Sequence, residues 1–287
     1  MWINSQKRMW GSMDKKIYYH YCSVETFVSI MSTSTLRFGN PLNMNDSAEI
    51  IWLMEALRDF VEERKKYQHI VKNWRLIESM TREILTSLGG GIPYIACMSN
   101  DGDVLSQWRA YADDGRGVAI GFNTAHLDSQ YSQMPVVYDR KAQKEIIEEN
   151  VHVKLFDELE GAAENQNIEE IYQKTKKILS HLIQNALVCK NPAFQEEQEY
   201  RLILKGNQKE KFRVCDNRIV PYKELDFKGN KRFIEEIVIG PKCMACDTNM
   251  AQFIKSMGYQ WWNKDEPWSP DDNIWEKHVR QSTATYR

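Results

Sequence analysis

The residues best suited by type and spacing to do chemistry lie late in the chain, in the run Glu197 to Leu204 (EQEYRLIL). If this run is extended, the two-residue period puts Glu197, Glu199 and Arg201 on one face and Gln198, Tyr200 and Leu202 on the other. Two carboxylates and a guanidinium then converge. In such a group one acid can hold a sugar hydroxyl or stabilise a developing cation while its neighbour orients a nucleophile. The same residues also fit a plainer reading, an exposed strand edge with a surface ion pair between Arg201 and Glu197 or Glu199. His20 is the second candidate. It sits in the aromatic run of Tyr18, Tyr19 and Tyr21, and strand alternation sets it on the side of Tyr18 and Cys22. A polar ring beside exposed aromatics suits a ribose and a flat heterocycle, although a lone strand histidine more often serves as a structural hydrogen bonder.

Two loops carry further polar groups. Asn43, Asn45, Asp46 and Glu49 crowd the start of a helix, where turn and cap chemistry explains most of them, leaving a loop that closes over a ligand as the residual function. The stretch Ser99 to Gly117 offers Asp101, Asp103 or Ser106 as caps and a turn at Asp113 to Gly115. Its Trp108 and Tyr111 lie about one helical turn apart, as core packing or as a stacking wall. Cys243 and Cys246 make a lone CxxC, too little for zinc when Cys189 and Cys215 have unsuitable spacing. No phosphate-binding glycine loop, dinucleotide fingerprint, HExxH or GxSxG is present.

These side chains have to be positioned by an irregular series of elements. Ile17 to Cys22 reads as a strand, Ser23 as an N-cap, and Phe27, Ile30 and Met31 as the apolar stripe of a short helix. A second strand is expected at Thr35 to Phe38, then helices carrying Ile50, Met54, Leu57 and Val61, and Trp74, Ile77, Ile84 and Leu88, ending at Gly89 to Gly91. Pro93 to Met98 and Gly117 to Phe122 are strand candidates, and Val136 to Tyr138 extends the sheet. From Lys141 to Val188 the pattern becomes two charge-laced amphipathic helices broken near Gly161 to Asn167, read as a helical insertion at about 140–188. Strand character returns at Glu199 to Leu204, Arg218 to Val220 and Ile237 to Ile239, followed by a helix with Met250, Phe253, Ile254 and Met257. Strands interrupted by unequal helices predict α+β rather than a doubly wound sheet.

The 287 residues hold 40 acids and 38 bases, a net charge of −2, so no general field attracts nucleic acid or anionic membrane. The apolar share of 42% and charged share of 27% exclude disordered and low-complexity classes. Apolar runs are far too short for a membrane span, the N-terminal stretch does not read as a secretory signal, and six scattered cysteines suit a reducing compartment. A cytoplasmic protein is expected, with an extension over 1–16, an α+β domain over 17–262, and an aromatic tail over 263–287. That tail holds Trp261, Trp262, Trp268 and Trp275 at and after its boundary and reads as a packed cover.

Six motifs in order carry a resemblance. They are Tyr19-His20-Tyr21, Asn43-x-Asn45-Asp46-x-x-Glu49, Cys97-Met98-Ser99, LSQWRAYADDGRGVAIGF from Leu105, Phe194-x-x-Glu197-x-Glu199-Tyr200-Arg201, and Glu236 to Gly240. Over about Tyr18 to Lys242 the chain resembles a bacterial family catalogued as domain of unknown function two-nine-seven-one. It departs at Ser47, where proline is common, and at Gln107-Trp108-Arg109. A weaker likeness of layout is to ADP-ribosyltransferases, with an aromatic-histidine first strand and a late strand bearing E-x-E.

The second resemblance implies a split β-sheet core and NAD as substrate, with no metal. It implies that His20 holds a ribose hydroxyl, that Tyr21 or Trp108 flanks the nicotinamide, and that Glu199 is the catalytic acid assisted by Glu197. Ser23, Asn45, Asp46, Tyr111 and Arg201 complete the ligand-facing set. The reaction it implies is ADP-ribosyl transfer to a macromolecular acceptor, or NAD hydrolysis, in a bacterial defence or toxin effector. Two other functions stay open: a nuclease holding a divalent metal with Asp46, Glu49, Glu197 and Glu199, and a non-enzymatic module that binds a nucleotide or peptide and meets a protein partner through helices 140–188.

Overall fold

Aromatic and β-branched residues make the first strand, β1 (Ile17–Cys22), and Ser23 caps the helix behind it, α1 (Val24–Thr33), by accepting the Thr26 N–H. There follow β2 (Thr35–Gly39), α2 (Ala48–Glu62), α3 (Gln68–Lys72), α4 (Trp74–Leu88), β3 (Tyr94–Ser99), α5 (Leu105–Tyr111), β4 (Val118–Asn123) and β5 (Tyr131–Pro135). Three helices come next, α6 (Arg140–Asn150), α7 (Val153–Glu164) and α8 (Ile168–Ala186). The chain then runs through β6 (Glu199–Leu204), β7 (Lys211–Cys215), β8 (Arg218–Asp226), β9 (Ile234–Ile239), α9 (Thr248–Ser256) and β10 (His278–Gln281). This is a computed structural model, and it describes residues 17–43, 48–88, 92–204, 208–215, 217–244, 248–258 and 278–286. The fold is α+β, with mostly antiparallel strand pairs. None of its described helices is long and apolar enough to cross a membrane.

The chain forms two compact units that alternate along the sequence, one from residues 1–36, 97–130 and 224–287 and the other from 37–96 and 131–223. In the first unit β1 pairs antiparallel with β4 over its whole length, Ile17 opposite Asn123 and Cys22 opposite Val118. Gly117 permits this approach, because a Cβ there would collide with the Cys22 carbonyl. Strand β4 pairs in turn with β9, and β9 takes β10 in parallel. Phe122, Phe227 and Phe233 pack as neighbouring rings 5.0–6.0 Å apart beneath these strands.

Strand β10 lies inside the segment expected to be an aromatic tail, whose tryptophans, like the extension over 1–16, fall outside the described residues. Its sequence has no strong strand signal, and its place is set by tertiary contacts. Val279 is fully buried and the Arg280 Nε donates to Glu236 Oε1 at 2.7 Å. Beyond the strand, the Asp103 carboxylate accepts from the Ser282 hydroxyl and from the backbone N–H (2.6 Å) and hydroxyl (2.7 Å) of Thr283. The Tyr286 hydroxyl donates to Asp114 Oδ1 at 2.5 Å. The C-terminal segment is therefore clasped largely by carboxylates.

In the second unit β5 pairs with β6, β6 with β3, β3 with β2, and β7 with β8. Residues Val136 to Tyr138 do not extend the sheet as a strand. Val137 makes one isolated bridge to Cys189, and β5 occupies Tyr131–Pro135 instead. The segment expected to hold two helices broken near Gly161 to Asn167 holds three: the expected break falls at Asn165–Asn167, and a further one comes at Val151 and His152. Gly161 lies inside α7, and the breaks come where side chains offer caps: His152 accepts from Lys154 N, and Asn167 accepts from Glu170 N. These helices also join residues 48–88 in one layer. Phe156 of α7 packs on Phe60 and Tyr67, and the Glu160 carboxylate accepts the N–H groups of His69 and Ile70 at 2.8 and 2.9 Å, capping α3 from a distant part of the chain.

Replacing Asp103 by Ala removes the acceptor for Ser282 and Thr283. Amide exchange of Val279 to Thr283 is expected to accelerate by roughly tenfold or more, since each ~1.4 kcal/mol of opening energy is a factor of ten. The β1–β4 amides should keep their wild-type rates in the same hydrogen-exchange experiment.

Candidate functional site

The E-x-E segment is not extended throughout. Pro192–Glu197 forms a tight helical turn, Gln198 takes a left-handed φ of 45°, and strand β6 starts only at Glu199. Strand alternation thus does not bring Glu197 beside Glu199, correcting the expected spacing argument. A lysine does so instead. Lys190 Nζ donates to Glu197 Oε2 at 2.5 Å and to Glu199 Oε2 at 3.0 Å. Arg201, two residues along β6, closes on Glu199 with Nε to Oε1 at 2.7 Å and a terminal nitrogen to Oε2 at 3.0 Å, while its other terminal nitrogen donates to the Leu187 carbonyl at 2.6 Å. The Tyr138 hydroxyl accepts the Glu199 backbone N–H at 3.0 Å, and burial pushes that phenol's pKa up.

The cluster is also not a surface ion pair. The side chains of Lys190, Glu197, Glu199 and Arg201 are 4, 10, 6 and 1% exposed. Charges taken this far from water each lose several kcal/mol of solvation, and only close, multiply bonded opposite charges offset it. Two cations against two carboxylates, with a bidentate arginine contact, meet that condition. The group ties together the end of α8 through Leu187, the turn before β6, and the β6 strand itself. Lys190 escaped the sequence reading. Its only signal was a cation closing the apolar run Ala186 to Cys189.

The other predicted site residues divide as follows. His20 and Tyr21 occupy successive positions of β1 and so face opposite sides of it. Nδ1 of His20 lies 3.2 Å from the Cys97 carbonyl, which can only accept, so this nitrogen carries the ring proton; desolvation lowers the imidazole pKa. Tyr21 is buried against Trp108 in an edge-to-face contact, ring centroids 4.8 Å apart, together with Ala112, Ala119 and Val238. Its hydroxyl donates to the Asp101 carbonyl and accepts the Val104 N–H, both at 2.9 Å. Trp108 is wholly buried and its indole N–H donates to Asp103 at 2.8 Å. Burial opposes the charge of Asp103, but hydrogen bonds from Ser282, Thr283 and Trp108 outweigh it and hold the carboxyl below its usual range. Ser23 is engaged as the α1 cap, and Tyr111 is exposed. Asn45 and Asp46 lie outside the described residues, as does the side chain of Glu49. Cys246 of the CxxC is outside them too; Cys22 and Cys189, both buried, have thiols pushed up to about 12 by desolvation and are poor nucleophiles.

A feature the sequence reading missed lies on the β7–β8 hairpin. Cross-strand register puts Phe212 opposite Pro221 and Val214 opposite Ile219, on one face. Phe212, Val214 and Ile219 are 62, 74 and 75% exposed, which gathers three large apolar side chains on one solvent-facing patch. The alternation in KFRVC was the available signal.

Residues 107–202 match the model of a family described as Protein of unknown function (DUF2971). The matched stretch includes Trp108, Lys190, Glu197, Glu199 and Arg201. No curated protein and no solved structure matches the chain.

Two measurements check this geometry. Lys190→Met leaves two buried carboxylates short of a cation and is expected to cost ~3–5 kcal/mol in urea unfolding. Adding Glu197→Gln should recover part of that loss, giving a non-additive double-mutant cycle. For His20, the folded ring binds protons less readily than the unfolded one. Its contribution is therefore intact above the unfolded value of about 6.5 and is lost as the pH falls from there toward the lower folded value. Between pH 7 and pH 5 the wild type should lose more stability than His20→Gln.

Proposed function

We propose that this chain acts as a non-enzymatic protein-interaction module. The observation that carries this reading is the solvent-facing apolar patch of Phe212, Val214 and Ile219 on the β7–β8 hairpin. Large apolar side chains gathered at a solvent-facing surface mark contact sites, because leaving them in water forgoes the ~25 cal/mol per Å2 gained on burial.

The electrostatics of the E-x-E residues support the same reading against catalysis. A carboxylate that stabilises an oxocarbenium-like sugar has to offer its charge to the ligand. Both oxygens of Glu199 are within 3.0 Å of a cationic nitrogen of the chain, and Glu197 shares the lysine. A divalent-metal nuclease would need those oxygens turned to an ion, with no ammonium between them. Tyr21 and Trp108, the expected nicotinamide wall, have their polar atoms bonded within the protein core.

The test is nicotinamide release from NAD by the wild-type chain and by Glu199→Gln, each checked for folding by near-ultraviolet circular dichroism. No release by the wild type, with a lowered unfolding midpoint for Glu199→Gln, is expected. Release by the wild type that a folded Glu199→Gln chain has lost would overturn the module reading in favour of NAD chemistry.

A further inference from the structure

The hairpin presents a strand edge as well as a face. Strand β7 ends the strand order among the described residues, with β8 on its one paired side. An edge strand carries a row of outward backbone N–H and C=O groups, a template for one more strand. Its side chains alternate. Phe212 and Val214 continue the apolar patch, while Arg213 lies on the opposite face, opposite Val220, with Arg218 opposite Cys215 on that same face. Arg213 and Arg218 are both exposed.

From this alternation we infer that the β7 edge binds an extended acidic segment in which apolar residues alternate with Asp or Glu. This rests on the module reading and names its partner. An added strand continues both faces of the hairpin at once. Its apolar residues fall beside Phe212 and Val214, and its carboxylates fall beside Arg213. A second copy of this chain fits less well than an acidic strand. Antiparallel pairing of β7 with itself that sets Phe212 against Val214 puts Arg213 against Arg213, the register that sets Phe212 against itself puts Arg213 against Lys211, and in-register parallel pairing stacks each cation on its twin. Only the shorter overlap that sets Val214 against itself puts Arg213 against Cys215, and it leaves Phe212 without an apolar partner. Like charges directly opposed are destabilising. The arginines thus discourage self-pairing and select a partner of opposite sign.

The experiment uses the full chain and a short synthetic peptide alternating valine with aspartate or glutamate. Controls are the same peptide with lysine in place of the acids, a scrambled acidic peptide, and vesicles containing an anionic lipid. The alternating acidic peptide should bind at least about tenfold more tightly than the lysine or scrambled peptides, weaken as salt rises, and slow amide exchange in Lys211–Cys215. Arg213→Glu with Arg218→Glu should reverse the preference between acidic and basic peptides, and Phe212→Ser with Val214→Ser should weaken both. All four positions are exposed, so these variants keep the fold.

Absence of binding, binding that ignores the charge reversal, binding that leaves β7 exchange unchanged, or stronger association with the vesicles overturns the inference. Those outcomes leave the module reading standing. NAD turnover lost in Glu199→Gln is the separate result that removes it.

Discussion

A charged group buried in protein has to find its counter-charge there, and the second unit is organised around four that do. Lys190, Glu197, Glu199 and Arg201 balance to zero within hydrogen-bonding distance, and each comes from a different position relative to strand β6. Lys190 follows helix α8, Glu197 ends a tight turn, and Glu199 with Arg201 opens the strand. Because removing any one leaves a buried charge without its partner, the path of the chain from α8 into β6 is held in one geometry. Arg201 adds a bond to the Leu187 carbonyl, which fastens the end of α8 to the sheet.

The first unit is closed by a related device nearer the surface. Asp103 gathers donors from Trp108, Ser282 and Thr283, so one carboxylate joins the helix α5 region to the last residues described. Arg280 and Tyr19 both bond Glu236 on β9 from different strands. The parallel strand β10 owes its place to these contacts and to the burial of Val279, since four residues have little strand preference of their own.

Much of the local structure was legible in the sequence. The aromatic run at Tyr18 to Tyr21, the cap at Ser23 and the apolar stripes through Leu57 and Ile77 follow from periodicity and side-chain chemistry, and the structure has strands and helices there. The α+β class follows from their irregular order. The break expected near Gly161 to Asn167 falls at Asn165–Asn167, past Gly161 itself, because glycine lowers helix preference by only about 1 kcal/mol and packing of α7 on α3 carries the helix through it; the break at Val151 and His152 was missed. The E-x-E spacing misled for another reason. A period-two argument assumes an unbroken strand, and the left-handed turn at Gln198 interrupts it one residue before β6.

What the amino-acid sequence by itself determined is therefore the type of most elements and the presence of acids and bases around Glu199, because both depend on short-range patterns along the chain. Only the tertiary structure decided that Lys190 stands between the two carboxylates, that Asp103 receives the C-terminal segment, and that the apolar face of the β7–β8 hairpin looks into water. Each of these depends on which distant residues meet and on how much solvent is left between them. Charge balance and exposure are properties of an environment, and the linear order of residues carries that environment only once the chain has folded.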